Sequence, residues 1–178
     1  MDQDIQTILL TEEQIRQRVQ ELGAQIAADY DGKDPIVVGI LRGCFIFMAD
    51  VVRAMPIPLT LEFLAVSSYG AGTTSGEVCL TRDFPMPIEG RHVIIMEDIL
   101  DSGRTLDYVM RILRQRNPAS VEICAFLDKP SRRVNDVKAR YVGYEVPDAF
   151  VVGYGLDYAD RYRNLPYIGV LKPEIYTT

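Results

Sequence analysis

Residues 93–106, with the sequence VIIMEDILDSGRTL, carry the strand, turn and helix pattern from which the fold is inferred. The four leading apolar residues, 93–96, predict a short strand that is buried on both faces in a parallel sheet. Two carboxylates, Glu97 and Asp98, follow where such a strand would reach the surface. Asp101 opens a small polar turn, and a helical pattern follows it. A turn from a strand into a helix points backbone amides at an anion, most commonly a phosphate.

The two acids would repel that phosphate, so they must face a different group. Neighbouring carboxylates accept hydrogen bonds from the vicinal hydroxyls of a sugar. A ribose 5-phosphate satisfies both parts of the run, with its hydroxyls at the acids and its phosphate at the turn 101–105. An isolated acidic pair favours a solvated strand end before a capped helix, whereas the complete run favours the sugar-phosphate interpretation.

The run closely resembles the phosphoribosyl-pyrophosphate (PRPP) motif of type I phosphoribosyltransferases. That motif is a hydrophobic strand, an acidic pair, two apolar residues, then Asp, Ser or Thr, Gly, a variable residue and Thr. Its length makes it specific for the superfamily, although it does not identify the acceptor base. The resemblance implies that PRPP, through its ribose and 5-phosphate, is bound by Glu97, Asp98, Asp101, Ser102, Gly103, Arg104 and Thr105.

Length, charge and composition limit the classes of protein to which this chain can belong. A length of 178 residues predicts one domain, 1–178. A net charge of -6 argues against a protein that coats nucleic acid, because such proteins rely on a basic surface. The acidic amino terminus lacks the pattern of a secretory signal, and no apolar stretch approaches the roughly 20 residues that span a bilayer. We therefore expect no membrane partner.

Cysteine and histidine usage narrows the chemistry. Cys44, Cys79 and Cys124 are odd in number and show no paired spacing, which predicts reduced thiols in a cytoplasmic protein. His92 is the only histidine, so histidine triads and multi-histidine metal sites are excluded, and we expect it to be structural. Acid–base chemistry must then come from carboxylates, lysine or tyrosine.

Strand and helix patterns alternate along the chain. A capping box at Thr11 predicts a helix to about Asp31, and a second helix is predicted over Cys44–Ala54. Strands are expected over Ile36–Leu41, Leu59–Val66, Val78–Arg82, Ser120–Leu127, Ala139–Gly143 and Ala149–Gly153, in addition to the central one. This alternation predicts an α/β fold with a mainly parallel sheet, helices on both faces and ligands at the carboxyl ends of the strands. The family resemblance adds a small hood built from the chain ends.

Two further candidate binding segments follow predicted strands in the first half of the chain. Arg42 and Gly43 offer one fixed charge and exposed backbone donors to an anion such as pyrophosphate, although a tight turn with a solvated arginine is an equal alternative. The glycine-rich stretch Ser67–Gly76 predicts a mobile loop that could exclude water from a bound substrate, although by itself such a stretch is more typical of a hairpin tip. Ser68 and Tyr69 at its start resemble the closing loop of the hypoxanthine-guanine branch.

Two later segments supply candidates for recognition of a base. Lys129, directly after an apolar strand, can donate to the carbonyl of a 6-oxopurine, although such lysines usually lie on the surface. Phe150 could stack on the base, and Asp157 offers a hard oxygen for Mg²⁺. Arg163 could donate to pyrophosphate. In isolation, the phenylalanine would be a core residue and the aspartate a turn residue.

Together the segments resemble bacterial hypoxanthine-guanine phosphoribosyltransferases from roughly Gly39 to Pro166. The resemblance implies a cytoplasmic, Mg²⁺-dependent transferase of purine salvage, with PRPP and 6-oxopurine bases as substrates and a homodimer or homotetramer as the assembly. The implied purine contacts are Lys129, Phe150 and backbone groups of Val151, with Asp101 as the catalytic acid–base group near N7.

The resemblance also implies pyrophosphate contacts from Arg42, Gly43 and Arg163, and a metal site formed by Asp157, Glu97 and Asp98. One departure is the stretch 78–81, which lacks a lysine often found after the mobile loop; it puts the closing behaviour of that loop in question.

Two other classes remain as alternatives. A regulator that keeps the PRPP pocket as a sensor would need a nucleic-acid-binding domain or a basic face, which the length and the acidic balance disfavour. A doubly wound phosphoryl-transfer enzyme would often carry a Gly-Lys-Ser/Thr phosphate loop, which the sequence lacks. The preference among hypoxanthine, guanine and xanthine depends on contacts around the purine 2-position and stays open.

Overall fold

The computed structural model describes residues 1–69 and 77–177, without the side chains of Ser68, Tyr69 and Glu77. The elements of this described part, in chain order, are β1 (Ile5–Leu10), α1 (Glu12–Asp29), β2 (Ile36–Leu41), α2 (Phe45–Arg53), β3 (Thr60–Tyr69), β4 (Glu77–Arg82), β5 (His92–Leu100), α3 (Arg104–Arg114), β6 (Ser120–Asp128), β7 (Tyr141–Glu145), β8 (Val151–Val152), β9 (Ile168–Leu171) and α4 (Pro173–Tyr176). Short 3-10 turns cover Asp2–Asp4 and Pro130–Arg132.

The central sheet has six strands in the order β4-β3-β2-β5-β6-β7. All neighbouring strands are parallel except β3 and β4, which are antiparallel. The predicted mainly parallel sheet is therefore confirmed. Because β5 lies between β2 and β6, the loops after these strands converge at one edge of the sheet.

Helices cover both faces of this sheet, as the alternation of elements predicted. Residues of α1 and α2 pack with Ile94 and Met96 of β5 in one apolar cluster. Residues of α3 pack with Val93 and Ile95 in a second cluster. Both faces of β5 are buried by this arrangement, which explains why its first half is a continuous apolar run rather than an alternating one.

The hood is a separate antiparallel sheet in the order β1-β9-β8. It joins the two ends of the chain, because Ile5 pairs with Leu171 and Val151 pairs with Val170. The predicted hood is thus present. The strand expected over Ala149–Gly153 is reduced to two residues, and it pairs with β9 in the hood instead of extending the central sheet.

Element boundaries differ from the sequence prediction where pairing partners set them. The central strand continues through Leu100 because β6 extends beside it, with Leu100 opposite Asp128. The acids Glu97 and Asp98 therefore lie within β5, and the expectation that they follow the strand is wrong. The strand expected over Ala139–Gly143 is instead Tyr141–Glu145, since Cys124 of β6 pairs with Tyr141.

Local signals explain the first helix. Thr11 accepts a hydrogen bond from the Gln14 backbone at 3.3 Å, and the Gln14 side chain accepts one from the Thr11 backbone at 2.9 Å. This is the predicted capping box, which satisfies two backbone donors at the start of α1. Among the described helices, none is both long enough and apolar enough to cross a membrane.

The single histidine lies outside the site described below, whereas Cys44 directly follows Gly43 and lies near Glu97 and Asp98. All three cysteines are free, and burial raises the pKa of the Cys44 and Cys124 thiols. The Nδ1 atom of His92 lies 2.8 Å from Ser120 Oγ, at the start of β5 and thus at the opposite end of the strand from Glu97.

Candidate active site

The acidic pair lies in the last part of β5 in a setting that offers it few partners. Glu97 Oε2 is buried and accepts no hydrogen bond from the described residues. Burial, together with the charge of Asp98, raises the pKa of Glu97 well above its usual value. Burial also raises the pKa of Asp98, opposed by a hydrogen bond of 2.8 Å from the Ile99 backbone. Buried carboxyl oxygens of this kind require a donor or a cation, which an incoming ligand can supply.

Gly43 brings the loop after β2 against this pair. A Cβ atom at Gly43 would lie 1.6 Å from Asp98 Oδ2, so any larger residue would displace the carboxylate. A Cβ atom at Gly155 would lie 2.1 Å from the Gly43 carbonyl oxygen. Two glycines therefore allow the loop after β2 and the loop after β8 to meet beside β5.

The turn 101–105 leads from β5 into α3. Gly103 has a φ of +84°, a backbone conformation that favours glycine, and a Cβ atom there would also lie 2.3 Å from Asn135 Oδ1. Glu97, Asp101, Ser102 and Thr105 line a small cavity of about 70 Å³ at this turn. Because the first amides of a helix have no partner within the helix, the cavity is suited to an anion.

Arg133 fixes the carbonyl side of the same turn. Its guanidinium donates to the carbonyl oxygens of Leu100 at 3.2 Å and Asp101 at 3.0 Å, and it forms an ion pair with Asp128. Since these carbonyls are held on the arginine side, the backbone of the turn has a fixed orientation. The sequence offered a signal, the double arginine 132–133 after β6, but no role was predicted for either residue.

A larger cavity of about 390 Å³ contains the residues predicted to bind a purine. Lys129, Phe150 and Val151 line it together with Ile99 and Asp101. Lys129 is only 7% exposed although it is charged, and its Nζ donates to the Ala149 carbonyl oxygen at 2.6 Å. Lys129 is therefore a buried lysine and not a surface one, and its ammonium group has further protons to donate.

Asp101 borders both cavities. Its Oδ1 atom is buried and accepts no hydrogen bond from the described part of the chain, although Arg132 Nε lies 3.3 Å away as an ion-pair partner. Arg132 also lies 3.3 Å from Asp148. The carboxylate of Asp101 thus lies between the small cavity at the turn and the larger cavity lined by Lys129 and Phe150 (the base-sized cavity). In this position it could accept a proton.

The predicted pyrophosphate residues form a third group, beside another cavity of about 490 Å³ that Arg42 and Arg163 line. Arg42 Nη2 lies 2.5 Å from Asp160 Oδ1, and Arg163 Nη2 lies 2.7 Å from Asp157 Oδ1 and 3.7 Å from Asp160 Oδ1. The Leu41–Arg42 peptide bond is cis. Each of these two cations therefore pairs with neighbouring aspartates.

The chain matches the phosphoribosyl transferase domain over residues 6–159, a range that contains every site residue above except Asp160 and Arg163. The chain belongs to this phosphoribosyltransferase family.

The similarity extends to individual relatives over their full length. The chain is 51% identical to hypoxanthine-guanine phosphoribosyltransferase of Bacillus subtilis, covering 99% of this chain and 98% of that protein. It is 50% identical to the protein of the same name from Staphylococcus aureus, covering 99% of each. A crystal structure of hypoxanthine phosphoribosyltransferase from Staphylococcus aureus superposes with a TM-score of 0.96 at 50% identity, covering 100% of this chain and 97% of that one. The type I phosphoribosyltransferase fold is therefore confirmed.

The metal site predicted for this phosphoribosyltransferase was Asp157, Glu97 and Asp98. Within the described residues, no group of three or more acidic, histidine or cysteine side chains is close enough to hold a metal alone. The unpartnered Glu97 oxygen nevertheless fits a hard cation. Mg²⁺ commonly binds one or two carboxylates together with substrate phosphates, so a complete protein cage is not required.

Other residues of the phosphoribosyltransferase lie at the edges of the site. The backbone of Ser68 and Tyr69 belongs to β3, so the expectation that these residues begin a loop is wrong, and their side chains and residues 70–76 lie outside the described residues. Arg104 lies at the start of α3 beside Thr105, at the turn where both were predicted. Tyr176 lines the base-sized cavity although the sequence analysis gave it no role, because no local pattern links the end of the chain to this site.

Proposed function

We propose that this chain transfers the 5-phosphoribosyl group from PRPP to hypoxanthine or guanine, giving IMP or GMP and pyrophosphate in purine salvage. The relatives of the same length support the choice of substrates. The observation that carries the proposal is the position of Asp101, which borders both the cavity at the helix turn and the base-sized cavity. A phosphoribosyl group bound at the turn would direct its anomeric carbon toward the base.

The ribose and its 5-phosphate occupy the β5–α3 segment in this proposal. Glu97 and Asp98 accept hydrogen bonds from the ribose hydroxyls, which satisfies the buried Glu97 oxygen that has no partner in the described residues. The backbone amides of residues 102–105 and the Ser102 and Thr105 hydroxyls hold the phosphate, favoured by the amino-terminal end of α3.

The pyrophosphate group lies between Arg42 and Arg163, with the backbone of Gly43 beside it. Both guanidinium groups must exchange their contacts with Asp157 and Asp160 for phosphate oxygens. Asp157, Glu97 and Asp98 are the candidate ligands of Mg²⁺, which when bound neutralises the diphosphate and improves it as a leaving group.

The base is recognised by a polar match and by stacking. Lys129 donates to the 6-oxo group, and because its Nζ is buried, a 6-amino group would leave it facing another donor. Sites built on such a match reject the mismatched ligand by about 10⁴–10⁵. Phe150 stacks on the purine, and backbone groups of Val151 bind its edge.

Asp101 accepts the proton from purine N7 as N9 attacks the anomeric carbon. The new N9–C1 bond forms while the bond from C1 to the pyrophosphate oxygen breaks, and the bonding electrons leave with pyrophosphate. Positive charge develops on the sugar during this step, so water must be excluded. We assign that task to the segment that follows Ser68 and Tyr69 at the end of β3.

We also propose that this chain shares the domain organisation, assembly and location that its family resemblance implies. We expect residues 1–178 to act as one phosphoribosyltransferase domain, assembled as a homodimer or homotetramer in the cytoplasm. The free cysteines are in keeping with a reducing compartment. Sedimentation of the purified protein measures its assembly directly.

Steady-state kinetics with four bases test the proposal. With PRPP and Mg²⁺, hypoxanthine or guanine should release pyrophosphate and form the nucleoside monophosphate, while adenine should be used at least about 10⁴-fold less well. The rate with xanthine tests the contacts around the purine 2-position. The absence of pyrophosphate with every base, in protein that still binds PRPP, would instead favour a sensor.

A further inference from the structure

The proposed base-stacking residue Phe150 is itself stacked on another ring. The ring centroids of Phe150 and Tyr176 are 4.7 Å apart with an interplanar angle of 20°. Phe150 remains 38% exposed, and both rings line the base-sized cavity. Because a stacked neighbour covers one face of a ring, the exposed part of Phe150 belongs to its other face and its rim.

Tyr176 is held by the hood. Its ring packs against the apolar cluster of the hood, which includes Leu171. The Leu171 backbone donates to the Phe150 carbonyl oxygen at 2.8 Å, and the Lys172 backbone donates to the Asp4 carbonyl oxygen at 2.9 Å. These contacts fix α4 relative to Phe150, so the stacked arrangement is a property of the folded hood.

Tyr158 restricts the same ring from a second direction. Its ring lies 5.5 Å from that of Phe150 at an angle of 88°. Parallel and perpendicular aromatic contacts of these kinds are both favourable geometries. Phe150 is therefore oriented before any base arrives, and less of the binding free energy is lost in ordering its side chain.

We propose that Tyr176 is a positioning residue for the purine, which holds the Phe150 ring in the plane that stacks on the base. The proposal rests on the proposed function, because it assumes that Phe150 contacts the purine. It adds a residue that acts through Phe150 without touching the reacting atoms.

The test compares variants at Tyr176 with variants at Phe150 and at a control tyrosine. Tyr176→Leu removes the stacked ring, Tyr176→Phe keeps it, and Tyr167→Leu removes a ring from the same hood cluster. For each variant, KM for hypoxanthine, KM for PRPP and kcat are measured. KM does not depend on the fraction of folded enzyme, so partial unfolding cannot imitate the expected change.

Tyr176→Leu should raise KM for hypoxanthine about two- to tenfold, with kcat and KM for PRPP changed less than twofold. Tyr176→Phe and Tyr167→Leu should match the unmodified protein in KM for hypoxanthine. The double variant Phe150→Leu/Tyr176→Leu should bind the base no more weakly than Phe150→Leu alone.

Several results would overturn the proposal. An unchanged KM for hypoxanthine in Tyr176→Leu would overturn it. A lower KM would also overturn it, because it would mean that the tyrosine occupies the place of the base. Equal rises in both KM values, or additive effects in the double variant, would mean a general structural role. If Phe150→Leu itself leaves KM for hypoxanthine unchanged, the stacking role of Phe150 fails as well, which separates the two failures.

Discussion

The assignment of Lys129 to the purine 6-oxo group leads to the most demanding prediction. Lys129→Met keeps most of the aliphatic stem in its buried position and removes the ammonium donor. Lys138→Met is the matched control, because it makes the same chemical change at an exposed position. Both variants should fold, although the Ala149 carbonyl oxygen loses its partner at 2.6 Å in the first.

The magnitude follows from the burial of Lys129, which is 7% exposed. A hydrogen bond from a charged group is worth about 1.5–3 kcal/mol, or about 10- to 140-fold in kcat/KM for hypoxanthine. KM for PRPP should change less than a few-fold, since Lys129 is not among the residues proposed to bind PRPP. Discrimination against adenine should fall, because the donor that faces the 6-amino group is gone.

Pyrophosphate release under saturating PRPP, with hypoxanthine and adenine varied in parallel, measures the effects on the base. The same assay with PRPP varied at saturating hypoxanthine measures KM for PRPP. Thermal unfolding of each variant separates a loss of stability from a loss of recognition. The reasoning is refuted if Lys129→Met weakens the use of hypoxanthine and of PRPP equally, or if its selectivity matches that of Lys138→Met.

Three other substitutions test separate parts of the site. Asp101→Asn should lower kcat by about 10²–10⁴, with PRPP affinity by calorimetry within a few-fold; unchanged turnover would remove Asp101 from the mechanism. Gly43→Ala should abolish PRPP binding, since its Cβ would lie 1.6 Å from Asp98 Oδ2. Gly143→Ala is the control, because Gly143 is also crowded but lies at another edge of the sheet; it should lower Tm and leave PRPP affinity intact. Because burial raises the pKa of Glu97, the native state holds its proton more tightly than the unfolded state, so ligand-free stability should fall as pH rises above the ordinary value of 4.5. Glu97→Gln should lessen that fall in Tm, and parallel curves for the two proteins would contradict the assignment.

The turn from β5 into α3 was predictable because its signals are local. A continuous apolar strand, small polar residues and an amphipathic helix pattern lie within one stretch, 93–114. Gly103 fits the turn through its own φ of +84°. Sequence periodicity reports such local preferences well, and the resemblance then supplied the candidate ligands.

The end of β5 was not predictable from its own residues. Glu97 and Asp98 are charged, and such residues usually mark the end of a buried strand. They remain in β5 because β6 continues to Asp128 beside them. Strand length is set here by a partner that is distant in sequence.

Local sequence patterns also did not predict the contacts of Arg133 and Tyr176. Arg133 reaches carbonyls more than thirty positions earlier, at Leu100 and Asp101. Tyr176 reaches Phe150 only because the hood pairs β8 with β9. Contacts of this kind depend on the folded topology, so they become visible only in three dimensions.

A crystal structure of the protein with GMP tests the central claim most directly. We expect the 5-phosphate within hydrogen-bond distance of the amides of residues 102–105, the ribose hydroxyls at Glu97 and Asp98, and the guanine 6-oxo group at Lys129 Nζ. A nucleotide bound at another place, or one whose ribose leaves both carboxylates without contact, would contradict the assignment of this strand and turn to the phosphoribosyl group.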